Sequence, residues 1–326
     1  MKLFKISDFL NVVDTQDDAV FCAAEDMGYA CEYDALGSLY CRKARSGGAA
    51  GGGLMLAAAM DVKRFMVTHV SGKNVWFNLI GGLEAKNIVD QKVRFESGLT
   101  GTIRQKGHEE GLDEEKKKEC KLEDLYILTD SGEGEMPEIG EEAVLDGPDV
   151  YADNMISCIA LLHAMEELEE DLAEENVTFV FLNQFWSGRM GLRAALQAVK
   201  PHTCILCSAS EALAEGDEQD PDRPVDLILG RGPVIRFRES LQTFDAETGK
   251  KLVAAAESAG IKWQGEARCR EIGGGVEITA TGGRAGEGYL GVPMKDRGTV
   301  KPQFCEEDVE GCVKVLVQFV KMGRAE

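Results

Sequence analysis

A run of seven apolar residues that ends at a carboxylate constrains the fold of this chain more than any other feature. Residues 54–60 read LMLAAAM, and Asp61 follows directly. A short and fully apolar run is typical of a strand covered on both faces, as the central strands of α/β sheets are. Ligands gather at the carboxyl ends of such strands. The sequence therefore predicts an α/β sheet with a functional edge at Asp61.

The same α/β pattern returns in the second half of the chain, and a different pattern lies between. Apolar runs at residues 177–182 and 203–207 predict further buried strands, and helical spacing of apolar residues predicts a final amphipathic helix at 308–321. Residues 62–150 instead hold short β-rich segments separated by turns. The expected plan is an α/β domain formed by residues 1–61 and 151–326, with a small β-rich domain inserted at 62–150.

The charge balance narrows the partners that we expect. The 326 residues carry 36 Lys and Arg against 57 Asp and Glu, a net charge of −21, which would repel nucleic acid and anionic membrane surfaces. No run of about eighteen apolar residues predicts a transmembrane helix. The ten cysteines are irregularly spread, and the first ten residues do not resemble a signal peptide. We therefore expect a cytoplasmic protein with reduced thiols.

Several segments, read in order, resemble the cocatalytic metallo-aminopeptidases of the glutamyl-aminopeptidase and cellulase-M type. Residues 54–67 (LMLAAAMDVKRFMV) resemble the family strand with Ala-His-Met-Asp-Glu before Gly-Phe-Met-Val. Residues 151–158 (YADNMISC) resemble its Ala-Leu-Asp-Asp/Asn-Arg-Val-Gly-Cys segment, and residues 180–194 (VFLNQFWSGRMGLRA) resemble its Val-Gln-Glu-Glu-Val-Gly segment. The resemblance implies a mixed-sheet, zinc-peptidase-like domain with an inserted small β-barrel-like domain that the family uses in assembly.

The resemblance also implies a catalytic centre, and this chain departs from it. Family members use two divalent metals, Zn or Co, about 3.5–4 Å apart to activate a water. Two aspartates survive, Asp61 and, as the bridging ligand, Asp153. The other family positions hold non-ligands: Ala59 for the first His, Phe185 for the general base, Trp186 for the Glu ligand, Ser208 for an Asp ligand and Gly298 for the terminal His.

These departures predict an aminopeptidase-like protein that is catalytically inactive, holds no cofactor and acts as a binding or assembly homologue. An active metal-dependent aminopeptidase with an altered metal site is the alternative. A third interpretation is an enzyme with metal-independent chemistry in the cleft that holds the metals in family members. Asp61 and Asp153 could retain one weakly bound metal. They could equally be structural, with Asp61 capping a turn and Asp153 capping the helix that follows it.

The substituted loops carry cations, which suggests a second use for the cleft. Five of them are candidates to compensate the surviving aspartates: Lys63, Arg64, Arg189, Lys295 and Arg297. We expect at least one within salt-bridge distance of Asp61 or Asp153, which would suit the cleft to a small polar ligand or a peptide. The alternative is that all five are solvated surface charges. The expected partners are otherwise further copies of the same chain.

Overall fold

A computed structural model describes residues 16–43, 53–108, 110–130, 132, 134–147, 152–168, 176–219, 224–240, 242–267, 274–280 and 285–323. The chain divides into two compact units. The first comprises Met1–Asp61, Ala152–Lys295 and Gln303–Glu326, and the second comprises Val62–Tyr151 and Asp296–Pro302. The segment Asp296–Pro302, which the sequence analysis assigns to the α/β domain, is thus part of the second unit.

The strands, numbered along the chain, are β1 (Ala30–Tyr33), β2 (Leu39–Arg42), β3 (Leu54–Ala59), β4 (Arg64–Ser71), β5 (Asn74–Ile80), β6 (Lys92–Phe95), β7 (Thr100–Gln105), β8 (Leu125–Thr129), β9 (Glu142–Leu145), β10 (Val177–Leu182), β11 (Thr203–Glu211), β12 (Val234–Arg236), β13 (Gln264–Glu266), β14 (Gly286–Lys295) and β15 (Gln303–Phe304).

The described strands of the first unit form one mixed sheet of nine. Its order is β1-β2-β10-β3-β11-β14-β12-β13, and β15 pairs with β14. The four central strands β10, β3, β11 and β14 run parallel, whereas β2 and β12 join them antiparallel. All six residues of β10 are buried, as the apolar sequence predicts for a strand covered on both faces.

Helices pack against this sheet. The helices Ala152–Glu167 and Glu306–Met322 contact each other, and both contact β14. The helix Glu306–Met322 buries Val309, Val313 and Leu316, which confirms the predicted amphipathic helix. The described residues of the first unit also form the helices Gln16–Asp26, Met190–Val199, Ala246–Ser258 and Gly275–Ala280. Within the described residues, no helix combines the length and apolar character that crossing a bilayer requires.

The second unit is a closed six-stranded barrel with the order β4-β5-β8-β7-β6-β9. Antiparallel pairing of β4 with β9 completes the ring, which removes the open edges of the sheet. Its core includes Phe65, Val75 and Ile103. The helices Ala85–Ile88 and Glu114–Lys118 and the 3-10 turn Leu122–Asp124 lie between strands. The predicted fold class, a mixed-sheet α/β domain with a small barrel, is confirmed.

Candidate functional site

The candidate site lies at the carboxyl ends of β3 and β10. These strands pair in parallel, so that Ala59 lies opposite Leu182, and the amide of Met60 donates a hydrogen bond to the carbonyl of Leu182 at 2.8 Å. Asp61 then leaves the end of β3, and the turn of residues 183–189 leaves the end of β10. The topology therefore brings together three of the sequence-predicted positions: Asp61, Phe185 and Trp186.

Asp61 and Trp186 are joined by two hydrogen bonds. The backbone N–H of Trp186 donates to Oδ2 of Asp61 at 3.1 Å. The indole Nε1 of Trp186 donates to the backbone carbonyl of Asp61, also at 3.1 Å. Asp61 is buried, with 6% of its surface exposed. This geometry gives Asp61 a structural task, because its carboxylate fixes the turn that follows β10.

Two positions at which the resemblance would require polar groups are occupied by hydrophobic core residues. Ala59 and Phe185 are both buried and belong to one cluster, which also contains Leu192 and Leu206. The partly buried Trp186 packs against the same cluster. Apolar packing therefore surrounds the two positions that the resemblance matches to the first His and the general base.

A cation lies on the aromatic pair. The rings of Phe185 and Trp186 are perpendicular, with centroids 5.3 Å apart. The guanidinium carbon of Arg189 lies 4.5 Å from the Phe185 ring centroid and 5.4 Å from that of Trp186. Nη1 of Arg189 also donates to the carbonyl of Phe185 at 3.1 Å. A guanidinium held by cation–π attraction and a hydrogen bond disfavours a further cation beside it, since like charges repel.

Sequence reasoning singles out Arg189 as a cleft cation but does not predict that it lies on the rings of Phe185 and Trp186. Residues 185–189 form a turn, so the spacing of three and four residues, which pairs side chains on a helix, gives no signal for this contact. Arg189 also has a left-handed backbone, with φ of 61°, and precedes the helix Met190–Val199.

Asp153 and Ser208 lie on neighbouring elements. The helix Ala152–Glu167 begins one residue before Asp153. Asp153 therefore occupies the first turn and is not the helix cap, which was one of the two roles that the sequence left open. It is buried, and the thiol of Cys158, farther along this helix, donates to the carbonyl of Ala59 at 3.3 Å. Ser208 is half-buried in β11, opposite Gly291 of β14.

The five candidate cations fall in both units. Arg189 and Lys295 belong to the first unit, and Lys63, Arg64 and Arg297 to the second. Lys295 binds Asp217 at 2.6 Å, and its ammonium group holds the pKa of Asp217 below the usual range. Arg64 binds Glu142 at 2.6 Å within the barrel. That one of the five reaches Asp61 or Asp153 stays a prediction.

Gly298, which the resemblance matches to the family's terminal His, has a conformation that favours glycine. Its φ is +70°, and a Cβ atom there would lie 3.0 Å from Cδ2 of Leu83 in the same unit. A histidine at this position would be strained in the left-handed region.

The donor set described here does not fit two divalent metals. Such a centre needs several carboxylates and imidazoles that converge on the ions. Across the described ranges, no group of three or more His, Cys, Asp or Glu side chains could hold a metal ion. At the ends of β3 and β10 the structure places one carboxylate that is bonded to Trp186, an aromatic pair and a guanidinium group.

Comparison with known proteins shows similarity to aminopeptidases. The sequence model of the M42 glutamyl aminopeptidase family matches residues 37–315. A relative from Acetivibrio thermocellus, named "Putative aminopeptidase", is 27% identical over 303 residues, which cover 88% of this chain and 87% of that protein.

Solved structures share the fold. Aminopeptidase APDkam598 from the archaeon Desulfurococcus kamchatkensis has a TM-score of 0.80 at 18% identity, over 97% of this chain and 93% of that one. The Pyrococcus horikoshii TET1 peptidase, which can assemble into a tetrahedron or a large octahedral shell, has a TM-score of 0.77 at 19% identity, over 97% and 98%.

Proposed function

Because the chain belongs to the M42 glutamyl aminopeptidase family, we propose that it keeps the family's architecture without peptide hydrolysis. It acts as a binding and assembly homologue. One observation carries this proposal: Ala59 and Phe185, at positions matched to a metal ligand and the general base, are packed together in the hydrophobic core. A phenyl ring can neither accept a proton nor coordinate a metal ion.

The loss of these groups has a large kinetic consequence. A positioned general base contributes about 10²–10⁴-fold to rate. Metal ions increase the rate further, because they lower the pKa of bound water and polarise the substrate carbonyl. With Phe185, Trp186 and Ala59 in these positions, neither effect is available for peptide hydrolysis.

The remaining polar groups suit the cleft to recognition. Arg189 supplies a fixed positive charge whose guanidinium lies on two aromatic rings. A guanidinium of this kind recognises carboxylates with good geometry. The proposed ligand is therefore a small polar molecule with an anionic group or a peptide, held without being cleaved.

Self-assembly is the second part of the proposal. The Pyrococcus horikoshii TET1 peptidase, which shares the fold, forms closed shells from copies of one chain. Retention of the closed barrel, the family's assembly domain, supports a homo-oligomer with a dimer as its minimum. We place the protein in the cytoplasm, a proposal supported by the nine described cysteines, all of which are free thiols.

The test combines metal analysis with turnover. The full chain is purified without chelator, its zinc and cobalt contents are measured, and a panel of aminoacyl and peptide substrates is assayed with either metal added. An active M42 aminopeptidase, treated in parallel, is the positive control. We expect no stoichiometric tightly bound metal and no turnover. Two equivalents of metal, with turnover that Asp153→Asn abolishes, would show instead an active enzyme with an altered site.

A further inference from the structure

Two cysteines face each other across the hairpin of β1 and β2. Cys31 and Cys41 are register partners, and their Sγ atoms lie 3.1 Å apart. The amide of Asp34 donates to the carbonyl of Ser38, which makes that pair a hydrogen-bonded one. Pair types alternate along an antiparallel ladder, so the cysteines, three positions farther along, form a non-hydrogen-bonded pair.

This pair type suits a disulfide. The Cα atoms of a non-hydrogen-bonded pair are about 4.5 Å apart. Disulfides form at Cα separations of about 4.4–6.8 Å. The two sulfurs can therefore be bonded with little movement of the backbone.

The two thiols differ in access and in acidity. Cys31 is partly exposed, whereas Cys41 is buried. The hydrogen bond that the sulfurs share lowers the pKa of Cys31, while the same hydrogen bond and burial raise the pKa of Cys41. Cys31 is thus the more accessible and the more acidic of the two thiols, and Cys41 lies close enough to it to resolve a mixed disulfide.

We propose that Cys31 and Cys41 are a redox modification site that forms a reversible disulfide by exchange with a low-molecular-weight disulfide. The Cys31 thiolate attacks one sulfur of the small disulfide, which forms a mixed disulfide and releases one thiolate. Cys41, as its thiolate, then attacks the Cys31 sulfur and releases the second. The small disulfide gains the two electrons, and the two released thiolates take up the two protons that the cysteines lose.

The disulfide would act on a segment that supports the candidate site. The turn of this hairpin contacts the residues after β10: the amide of Asn183 donates to Oγ of Ser38 at 3.1 Å, and Nε2 of Gln184 donates to the carbonyl of Leu36 at 3.5 Å. β1 also lies at one edge of the sheet. Edge strands open most readily, so a covalent link to β2 would hold β1 in place.

The experiment exposes the full-length protein to a series of oxidised and reduced glutathione mixtures. Remaining thiols are trapped by alkylation at low pH, and peptides are analysed by mass spectrometry. We expect a linked peptide pair containing Cys31 and Cys41, with a mass loss of about 2 Da for the two hydrogens removed. Reductant should reverse it. Amide exchange in β1 should slow by at least about tenfold in the oxidised protein.

Variants separate this site from general thiol oxidation. Cys31→Ser should abolish the linked pair, and the exposed Cys22→Ser should leave it unchanged. Glutathione that remains on Cys31 without transfer to Cys41 would overturn the proposal. A disulfide from Cys31 to a different cysteine, or no disulfide at any glutathione ratio, would overturn it as well. The primary observation is made on the unmodified chain, so a variant that fails to fold does not affect it.

Discussion

Asp61, which the resemblance matches to a catalytic position of the family, is fixed by two hydrogen bonds to one residue. Its Oδ2 accepts the Trp186 amide, and its backbone carbonyl accepts the indole N–H of the same residue. Both bonds connect the segment after β3 to the turn after β10. The aspartate therefore has a reason to be retained that does not involve a metal.

Replacing Asp61 tests this structural task. Asp61→Ala leaves the amide of Trp186 without this acceptor, and we expect a loss of about 1–3 kcal/mol in the free energy of unfolding. Asp61→Asn keeps a carbonyl oxygen at the same place and should lose less. Denaturant unfolding measures both variants. Equal stability of Asp61→Ala and the parent chain would contradict the assigned role.

His163 predicts a pH dependence of stability. It is buried in the helix Ala152–Glu167, with Nδ1 3.5 Å from Oε2 of Glu166. Burial lowers the pKa of His163, although Glu166 opposes this effect. The unfolded chain then binds a proton more readily than the folded one, so the stabilising contribution is present above pH ~6.5 and is lost as pH falls towards the folded-state pKa.

The corresponding variants are His163→Leu and, as a control at an exposed position, His202→Leu. Between pH 7.5 and 5.5, His163→Leu should reduce the acid loss of stability by at most about 1.4 kcal/mol per pH unit, the value for one proton. His202→Leu should follow the parent chain. Identical pH profiles for His163→Leu and the parent chain would show that His163 contributes nothing.

The positions of the candidate residues were predictable, but their surroundings were not. Apolar runs identify β3 and β10, and parallel strands place Asp61, Phe185 and Trp186 at one edge. Nothing local indicates that Phe185 joins a core with Leu206, because that contact depends on how strands distant in sequence pack. For Asp153, the alternative of a helix cap differs from the structure by one residue, because the helix begins at Ala152.

At the scale of elements, one buried arginine connects four strands of the sheet. Arg236 of β12 donates from Nε to Glu266 of β13 at 2.5 Å and from Nη2 to Ser210 of β11 at 3.2 Å. Its guanidinium carbon lies 3.8 Å from the ring centroid of Tyr289 in β14. The hydroxyl of Tyr289 in turn donates to the carbonyl of Ala209 at 3.0 Å.

This network predicts a large effect of a single substitution. Arg236→Met leaves Glu266 without its buried partner, and we expect a loss of about 3–5 kcal/mol in the free energy of unfolding. Arg231→Met, which removes an exposed ion pair with Glu215, is the matched control and should cost less than about 1 kcal/mol. Adding Glu266→Gln to Arg236→Met should recover part of the loss. A cost as small as that of the control would contradict the network's role.

Elements that follow hydrophobic periodicity were predictable, and those interrupted by glycine were not. The strand β14 was not predicted from the sequence, because Gly288, Gly291 and Pro293 interrupt its apolar run. The structure explains one of these residues: a Cβ atom on Gly288 would lie 2.7 Å from Cδ1 of Ile205 in the neighbouring strand. Close approach of β11 and β14 therefore requires the residue that weakens the strand signal.

At the scale of the whole molecule, charge and exposed apolar surface act in opposite directions on self-association. A net charge of −21 makes copies of the chain repel one another, an effect that salt screens over about 10 Å at 0.1 M. Five large hydrophobic residues in the described ranges are exposed, and three of them belong to the barrel unit: Met66, Leu122 and Ile139. Association through the barrel would cover such residues.

Ile139 is the strongest of these three candidates, since 70% of its surface is exposed. Gly140, the next residue, donates to the carbonyl of Val67, so Ile139 lies beside the strand that carries Met66.

We expect light scattering at micromolar concentration and about 0.15 M salt to give at least a dimeric mass. The mass should fall at low salt, because the repulsion between copies is then unscreened. Ile139→Glu should shift the mass towards the monomer, because it places a charge in an apolar contact. Met190→Glu, an exposed apolar position outside the barrel unit, should not. A monomeric mass for the parent chain at both salt concentrations would refute assembly, and equal effects of the two substitutions would refute assembly through the barrel.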